Sequence, residues 1–284
     1  MKNTMRPIFS TFALLVLATF TGGLAPARAE HEGKVQVLLL GDSTTEESVP
    51  RQHNPAGPHF EDVIRLLLAT EKDLPPVNVI NLGLSGEFIH GLLTNRYDKA
   101  VPKLPGVDYI FIRYGLNDNS RREDFANNFP KDFHELIGRL RHDFPQAMII
   151  PMTVIPYLPP DASARINGLV KKVAEEEKLM LFDIYPRYAA ELEHGPNMLN
   201  YRRFPLANIP EKDREWVKPF VHGDTVEVMD NTLDAHFRQL PGWFGDRHPN
   251  SAGYHIVADE TAKFLAKLIR ERKKQDVPGP RDRG

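Results

Sequence analysis

Chemistry could begin at 41–43, Gly-Asp-Ser. The six residues before it, 35–40, form an apolar run of Val and Leu broken only by Gln36. Such a run, ended by Gly41, predicts a buried strand. Ser43 then stands at the strand's carboxyl end, where ligands bind in open α/β sheets. A serine there can expose its hydroxyl and leave its backbone N–H free. The same tripeptide is also ordinary turn chemistry, so alone it fits a catalytic turn and a structural turn equally. Three other stretches share the placement. Residues 81–86 (NLGLSG) and 115–118 (GLND) follow the second and third predicted strands, and 246–250 (DRHPN) precedes the last predicted helix. With parallel strands, the first two of these loops and the Ser43 turn emerge on one sheet edge.

The elements that must carry these loops follow from periodicity. After the first strand, 60–70 (FEDVIRLLLAT) has helical spacing. Residues 77–80 (VNVI), 107–113 (VDYIFIR), 147–152 (AMIIPM) and 179–183 (LMLFD) predict four more short strands. Helical segments lie near 121–143 and 162–178, and Pro130 is predicted to break or start a helix in the former. A long amphipathic helix is predicted over 251–273, with Asn250 as its cap. Strands alternating with helices predict parallel βαβ units and a sheet covered on both faces. The expected fold is α/β, a flavodoxin-like three-layer α/β/α sandwich with a five-stranded parallel sheet. Residues 194–243 break the rhythm. The segment is rich in Pro, Asn and charge, yet holds Trp216, Phe220, Phe237 and Trp243. It is too aromatic for a disordered linker, and reads as a lid or substrate-binding insertion or as a packed structural excursion. The tail, 271–284, reads as disordered.

Composition narrows the function classes. Of 284 residues, 41% are hydrophobic and 26% charged, enough for a sizeable core. Residues 1–29 begin with Lys2 and Arg6, continue through an apolar stretch and end in Ala27-Arg28-Ala29. That is the pattern of a secretory signal peptide cut before Glu30, giving an exported, periplasmic or secreted protein with no stable membrane span after cleavage. Cleavage moves the formal charge from −2 to −5. A mildly acidic chain without a dense basic stripe is not expected to bind nucleic acid. The chain has no cysteine, which excludes disulfides, a cysteine nucleophile and thiolate metal sites.

With the four stretches in order, GDS at 41–43, N-x-x-x-x-G at 81–86, G-x-N-D at 115–118 and D-x-H-P at 246–249, the chain resembles the SGNH, or GDSL-type, hydrolases, a family of esterases and lipases. The resemblance covers roughly Lys34 to Leu268, within the domain expected over 30–270. It implies Ser43 as nucleophile, His248 as its base and Asp246 as the group that orients the imidazole. It implies an oxyanion hole made by the Ser43 and Gly86 N–H groups and the Asn117 side-chain amide. It implies no metal and no cofactor, and as partner a small-molecule or carbohydrate ester, acetyl esters above all. A polysaccharide O-acyltransferase would use the same residues, and a non-catalytic carbohydrate-binding protein could stand on the same scaffold. One departure concerns Asp246. The family commonly places this Asp three residues before the His, and here the separation is two. In an extended loop residues two apart point to the same side, so an Asp–His hydrogen bond is still expected. Arg113, a charge at the end of the third strand, could anchor an acidic group of the substrate or leave the sheet for solvent or a nearby carboxylate.

Overall fold

An apolar strand with no polar alternation must bury both faces, and β1 (Val35–Gly41) does so at the centre of a parallel sheet. A computed structural model describes residues 33–194 and 198–275. The expected signal peptide, 1–29, lies outside the described residues, as do 276–284 of the tail. β2 (Val77–Asn81), β3 (Tyr109–Arg113) and β4 (Met148–Pro151) complete a four-stranded sheet in the order β2-β1-β3-β4, all parallel. Val37 and Leu39 point to one face and pack with Ile64, Leu68, Val257 and Leu265 of the helices Phe60–Ala69 and Ser251–Gln275. Leu38 and Leu40 point to the other. They pack with Leu92, Phe133, Leu136 and Val170 of the helices Ile89–Asn95, Phe125–Asp143 and Pro160–Glu176.

The expected fifth strand is a correction. Residues 179–183 lie beside the end of β4 and make one parallel bridge, Met152 to Phe182. Its two bonds run from the Phe182 N–H to the Pro151 carbonyl (2.9 Å) and from the Thr153 N–H to the Phe182 carbonyl (3.1 Å). Phe182 is buried in the core on one face of the sheet, Leu179 and Leu181 are half-buried against the core on the other, and Met180 is exposed. Pro151, opposite the segment, has no N–H to donate to its earlier residues, so the ladder stops at this one bridge. Pro130 is a second correction, since the helix Phe125–Asp143 runs through it. Its ring falls in the second turn, so the missing N–H deprives one early carbonyl. Phe129 and Phe133, both fully buried on either side, hold the helix to the sheet. Residues 271–275, expected to be disordered, continue the final helix.

The segment after residue 198 has its own architecture. β5 (Arg202–Pro205), β6 (Val221–His222) and β7 (Thr225–Val228) form a small antiparallel sheet in the order β5-β7-β6. Its inner face buries Phe204, Val226 and Val228 with Val217, Phe237 and Trp243 in a separate apolar cluster. The aromatic residues that argued against a linker are the core of this accessory sheet, except Trp216, which is about half exposed.

Candidate active site

The site forms where the strand order reverses. β1 sits between β2 and β3, so the chain leaves β1 in one direction for β2 and crosses back for β3, and loops at such a switch point open a crevice at the carboxyl edge. Ser43 opens the short helix Ser43–Glu46 directly after β1. The Asp42 carboxylate caps that helix, accepting from the Thr44 N–H (2.9 Å) and the Thr44 hydroxyl (2.8 Å). Gly41 makes the tight exit possible, since a Cβ there would lie 2.1 Å from Thr45 Oγ1 and 2.9 Å from the Arg113 carbonyl. Tyr254 of the last helix donates its hydroxyl to the Ser43 carbonyl at 2.7 Å. As the first helical residue, Ser43 has an N–H with no intrahelical acceptor.

The loop 246–250 comes to Ser43 from the far end of the sequence. Asn250 caps the final helix through the Gly253 N–H (3.1 Å), and its amide donates to the Met198 and Met229 carbonyls. Asn200 donates to the Arg247 and His248 carbonyls (2.5 and 3.2 Å). So held, His248 sets Nε2 2.9 Å from Ser43 Oγ. Its Nδ1 lies 2.6 Å from Asp246 Oδ1, and the same oxygen accepts the His248 backbone N–H at 3.0 Å. One carboxylate oxygen thus ties both ends of the Asp-x-His step, which is how a separation of two closes. A carboxylate only accepts, so Nδ1 carries the imidazole proton and Nε2 is left to accept from the Ser43 hydroxyl. Burial acts to raise the Asp246 pKa. The His248 hydrogen bonds and charge and the Arg203 guanidinium (2.9 Å) outweigh it and hold the carboxyl below its ordinary value.

The other expected residues fall around the same space. Gly86 has φ +77°, a conformation that glycine adopts without the steric cost a Cβ would bring, and its carbonyl accepts from Arg121 at 2.7 Å. Asn117 follows β3, and its amide donates one N–H to the Glu87 carbonyl at 3.1 Å, leaving the second for a ligand. Glu87 is itself fixed by Arg96 and by the Tyr114 hydroxyl (2.6 Å). Ser43, Gly86, Asn117 and His248 all line one pocket of about 400 Å³. Arg113 does not. It is 2% exposed, its guanidinium donates to the Thr44 carbonyl and lies over the Phe60 ring, and burial pulls its pKa down. An Arg on β3, enclosed between the sheet and the Ser43 turn, is built into the scaffold, so the substrate-anchoring option for Arg113 is corrected to a structural contact. Of the rival histidines, His255 is exposed on the final helix and His222 belongs to the accessory sheet.

Comparison with known proteins is decisive at this point. A model of the GDSL-like Lipase/Acylhydrolase family matches residues 39–256. The chain belongs to this family. Its members are carboxylic ester hydrolases. No curated protein matches the chain in sequence. Among solved structures, a GDSL-like lipase from Parabacteroides merdae aligns with TM-score 0.54 at 15% identity, over 84% of this chain and 97% of its own. An α/β hydrolase from the metagenome of Lake Arreo aligns at 0.53 and 18% (84% and 96%). An acetylxylan esterase from Geobacillus stearothermophilus aligns at 0.52 and 18% (81% and 94%). At these identities the likeness is one of fold.

Three side chains of the GDSL-type pocket were not singled out in the sequence. Tyr157 meets the His248 ring edge-on (4.9 Å) with its hydroxyl 3.2 Å from Nδ1, and Tyr201 stacks on the ring at 5.6 Å and 7°. Burial, then the Asp246 charge, pushes the Tyr157 pKa up to about 12, so it stays a neutral phenol. Arg203 pairs with Asp246. A signal existed for Tyr157, because the loop after β4 leaves the same edge as the other three. Arg203 comes from the accessory sheet and Tyr201 from the residue just before it, and no local pattern encodes that sheet's position.

Two expected results follow from this geometry. Asn117→Ala removes a neutral donor at the place where negative charge would develop, and kcat should fall about 10²–10³-fold with a small change in KM. Steady-state kinetics on a chromogenic ester checks it; an unchanged kcat would remove Asn117 from the oxyanion hole. Glu47 links the Ser43 helix to the helix Ser48–His53 with φ +62°, and its buried carboxylate accepts the Phe60 N–H at 2.5 Å. Burial raises its pKa to about 7. The folded protein therefore holds this proton more tightly than the unfolded chain, and Glu47 makes stability fall as pH rises from about 4.5 to about 7. In Glu47→Gln the fall should be shallower, as read by thermal midpoints across that window. An identical slope would show that the group ionises at its ordinary pKa.

Proposed function

We propose that this protein is a serine esterase that hydrolyses small acyl esters, acetyl above all, on a carbohydrate. The observation that carries the proposal is the continuous hydrogen-bonded line Ser43 Oγ–His248 Nε2 (2.9 Å) and His248 Nδ1–Asp246 Oδ1 (2.6 Å), opening into a pocket that also holds Gly86 and Asn117.

In the first half-reaction Ser43 Oγ bonds to the ester carbonyl carbon as its proton passes to His248 Nε2. The carbonyl oxygen becomes an oxyanion facing the Ser43 and Gly86 N–H groups and the free Asn117 N–H. These donors are held before the charge forms, so no reorganisation is needed at the barrier. Asp246 stabilises the imidazolium and fixes its tautomer. His248 then gives the proton to the departing alcohol oxygen, leaving acyl-Ser43. In the second half a water loses its proton to Nε2, attacks the acyl carbon and releases the acid, and Ser43 Oγ regains a proton from His248. Tyr201, stacked on the ring, limits its rotation through both halves.

Pocket lining supports the substrate class. Ser48, Ser85, Asn119, Ser120, Arg121 and Arg203 make much of the rim polar, which suits a hydroxylated alcohol portion and a short acyl group. The purified chain from Glu30 should turn over p-nitrophenyl acetate faster than butyrate or octanoate, and should release acetate from an O-acetylated xylo-oligosaccharide. Preference for octanoate would overturn the small-acyl assignment. Activity on the chromogenic ester with none on any acetylated glycan would overturn the carbohydrate assignment. Acetyl passed to an added sugar faster than to water would make the enzyme a transferase. Export is part of the same proposal, and mass measurement of the protein recovered from an expressing bacterium should give a chain beginning at Glu30.

A further inference from the structure

His53, His222 and Glu227 converge from two parts of the fold that are far apart in sequence. His53 ends the helix Ser48–His53, whose first residues, Ser48 and Val49, line the active-site pocket. His222 ends β6 and Glu227 lies on β7. Thr225 is the cross-strand partner of His222, and strand residues two apart share a face. His222 and Glu227 are therefore diagonal neighbours on one face of the accessory sheet, opposite the face where Val226 and Val228 enter the apolar cluster. His53 meets them from the core domain. Its Nε2 is 3.0 Å from Glu227 Oε2, and its ring lies edge-on to the His222 ring at 4.5 Å. One nitrogen from each histidine and one oxygen of Glu227 all fall within 4.8 Å of one another.

We propose that these three side chains bind a divalent transition metal of the zinc class, and that the ion clamps the accessory sheet to the helix beside the active site. Two imidazoles and one carboxylate are the donor set that suits zinc and its neighbours, whereas Mg²⁺ and Ca²⁺ prefer all-oxygen sites. Donor atoms around one tetrahedral zinc stand about 3.3 Å apart at ordinary bond lengths. The present spacing needs only side-chain rotation to close on an ion. The ligands come from an exposed hairpin residue, a half-buried strand residue and a half-buried helix end, so an ion can enter without unfolding. The clamp has a route to the catalytic groups, because Arg203 is the cross-strand partner of Glu227 and the ion partner of Asp246. The ion takes no part in the ester chemistry, and the inference does not depend on the esterase assignment.

The test is zinc binding to the tag-free, chelator-treated full chain, using ZnCl₂ alone, by calorimetry and by competition with a chromophoric chelator. One zinc per chain is expected. At about a hundredfold excess of free zinc over Kd, the thermal midpoint should rise by about 5–10 °C. Co²⁺ in place of zinc should give the visible absorption of a tetrahedral nitrogen–oxygen site. His222→Ala, at an exposed position, should weaken zinc binding by ~100-fold or more, since loss of even an outer-shell partner costs 10–100-fold. Glu227→Gln, which keeps shape and hydrogen bonding, should weaken it in the same direction. No stoichiometric binding by the wild type, or equal zinc affinity in the wild type and in His222→Ala, would overturn the proposal. So would CaCl₂ raising the thermal midpoint as much as zinc does.

Discussion

Replacing Ser43 by Ala should abolish nearly all ester hydrolysis while leaving the fold intact. The expected fall in kcat is about four to six orders of magnitude, the range seen when the nucleophile of a cooperating triad is removed. The fold should survive because the contacts that position residue 43 use its backbone. Its carbonyl accepts the Tyr254 hydroxyl, and its turn is capped by the Asp42 side chain bonding to Thr44. Alanine keeps all of these. Circular dichroism and the thermal midpoint should therefore match the wild type, and substrate KM should change little. Retention of activity within about tenfold would eliminate the acyl-enzyme route through Ser43, whatever the family membership.

Asp246→Asn should lower kcat/KM by about 10⁴-fold, the size of effect that follows when the imidazole is left in the wrong tautomer. Asp246 Oδ1 accepts both the backbone N–H and the Nδ1–H of His248. An amide can still accept through one oxygen, but it brings no negative charge to the imidazolium that forms on proton transfer. It also leaves Arg203 without its ion partner. The amide can turn its NH₂ toward Nδ1, which forces the proton to Nε2 and removes the acceptor that faces Ser43. The contrast with Asn117→Ala is diagnostic, because loss of one oxyanion donor is expected to cost about a tenth to a hundredth of what loss of the tautomer costs. A loss for Asp246→Asn below about tenfold would mean that Tyr157, at 3.2 Å from Nδ1, suffices to orient the ring.

Legibility followed the range of the interaction. β1 could be read because a strand buried on both faces needs an uninterrupted apolar run. The Asn250 cap and the final helix depend on residues within a few positions, and they stand where expected. The fifth strand failed because a ladder is decided by what lies across from it. Residues 179–183 have strand composition and their leucines pack against the core, but beside the end of β4, where Pro151 has no N–H to donate, only Phe182 makes a bridge. Arg113 failed for a related reason. Its position at a strand end was visible, but its enclosure by Phe60 and the Thr44 carbonyl depends on residues 53 and more positions away.

The sequence by itself determined the strand-end serine, the order of the four motif blocks and the two-layer helical cover of a parallel sheet, because each rests on short periodicities and on residue chemistry at one place in the chain. The tertiary structure decided the rest. Only the folded sheet brings together Ser43 and His248, 205 positions apart in sequence, and only the docking of the accessory segment supplies Tyr201 and Arg203 around the imidazole and sets His222 and Glu227 against His53. Those contacts join surfaces whose relative placement comes from burying separate apolar clusters, and no spacing along the chain records how two such clusters meet.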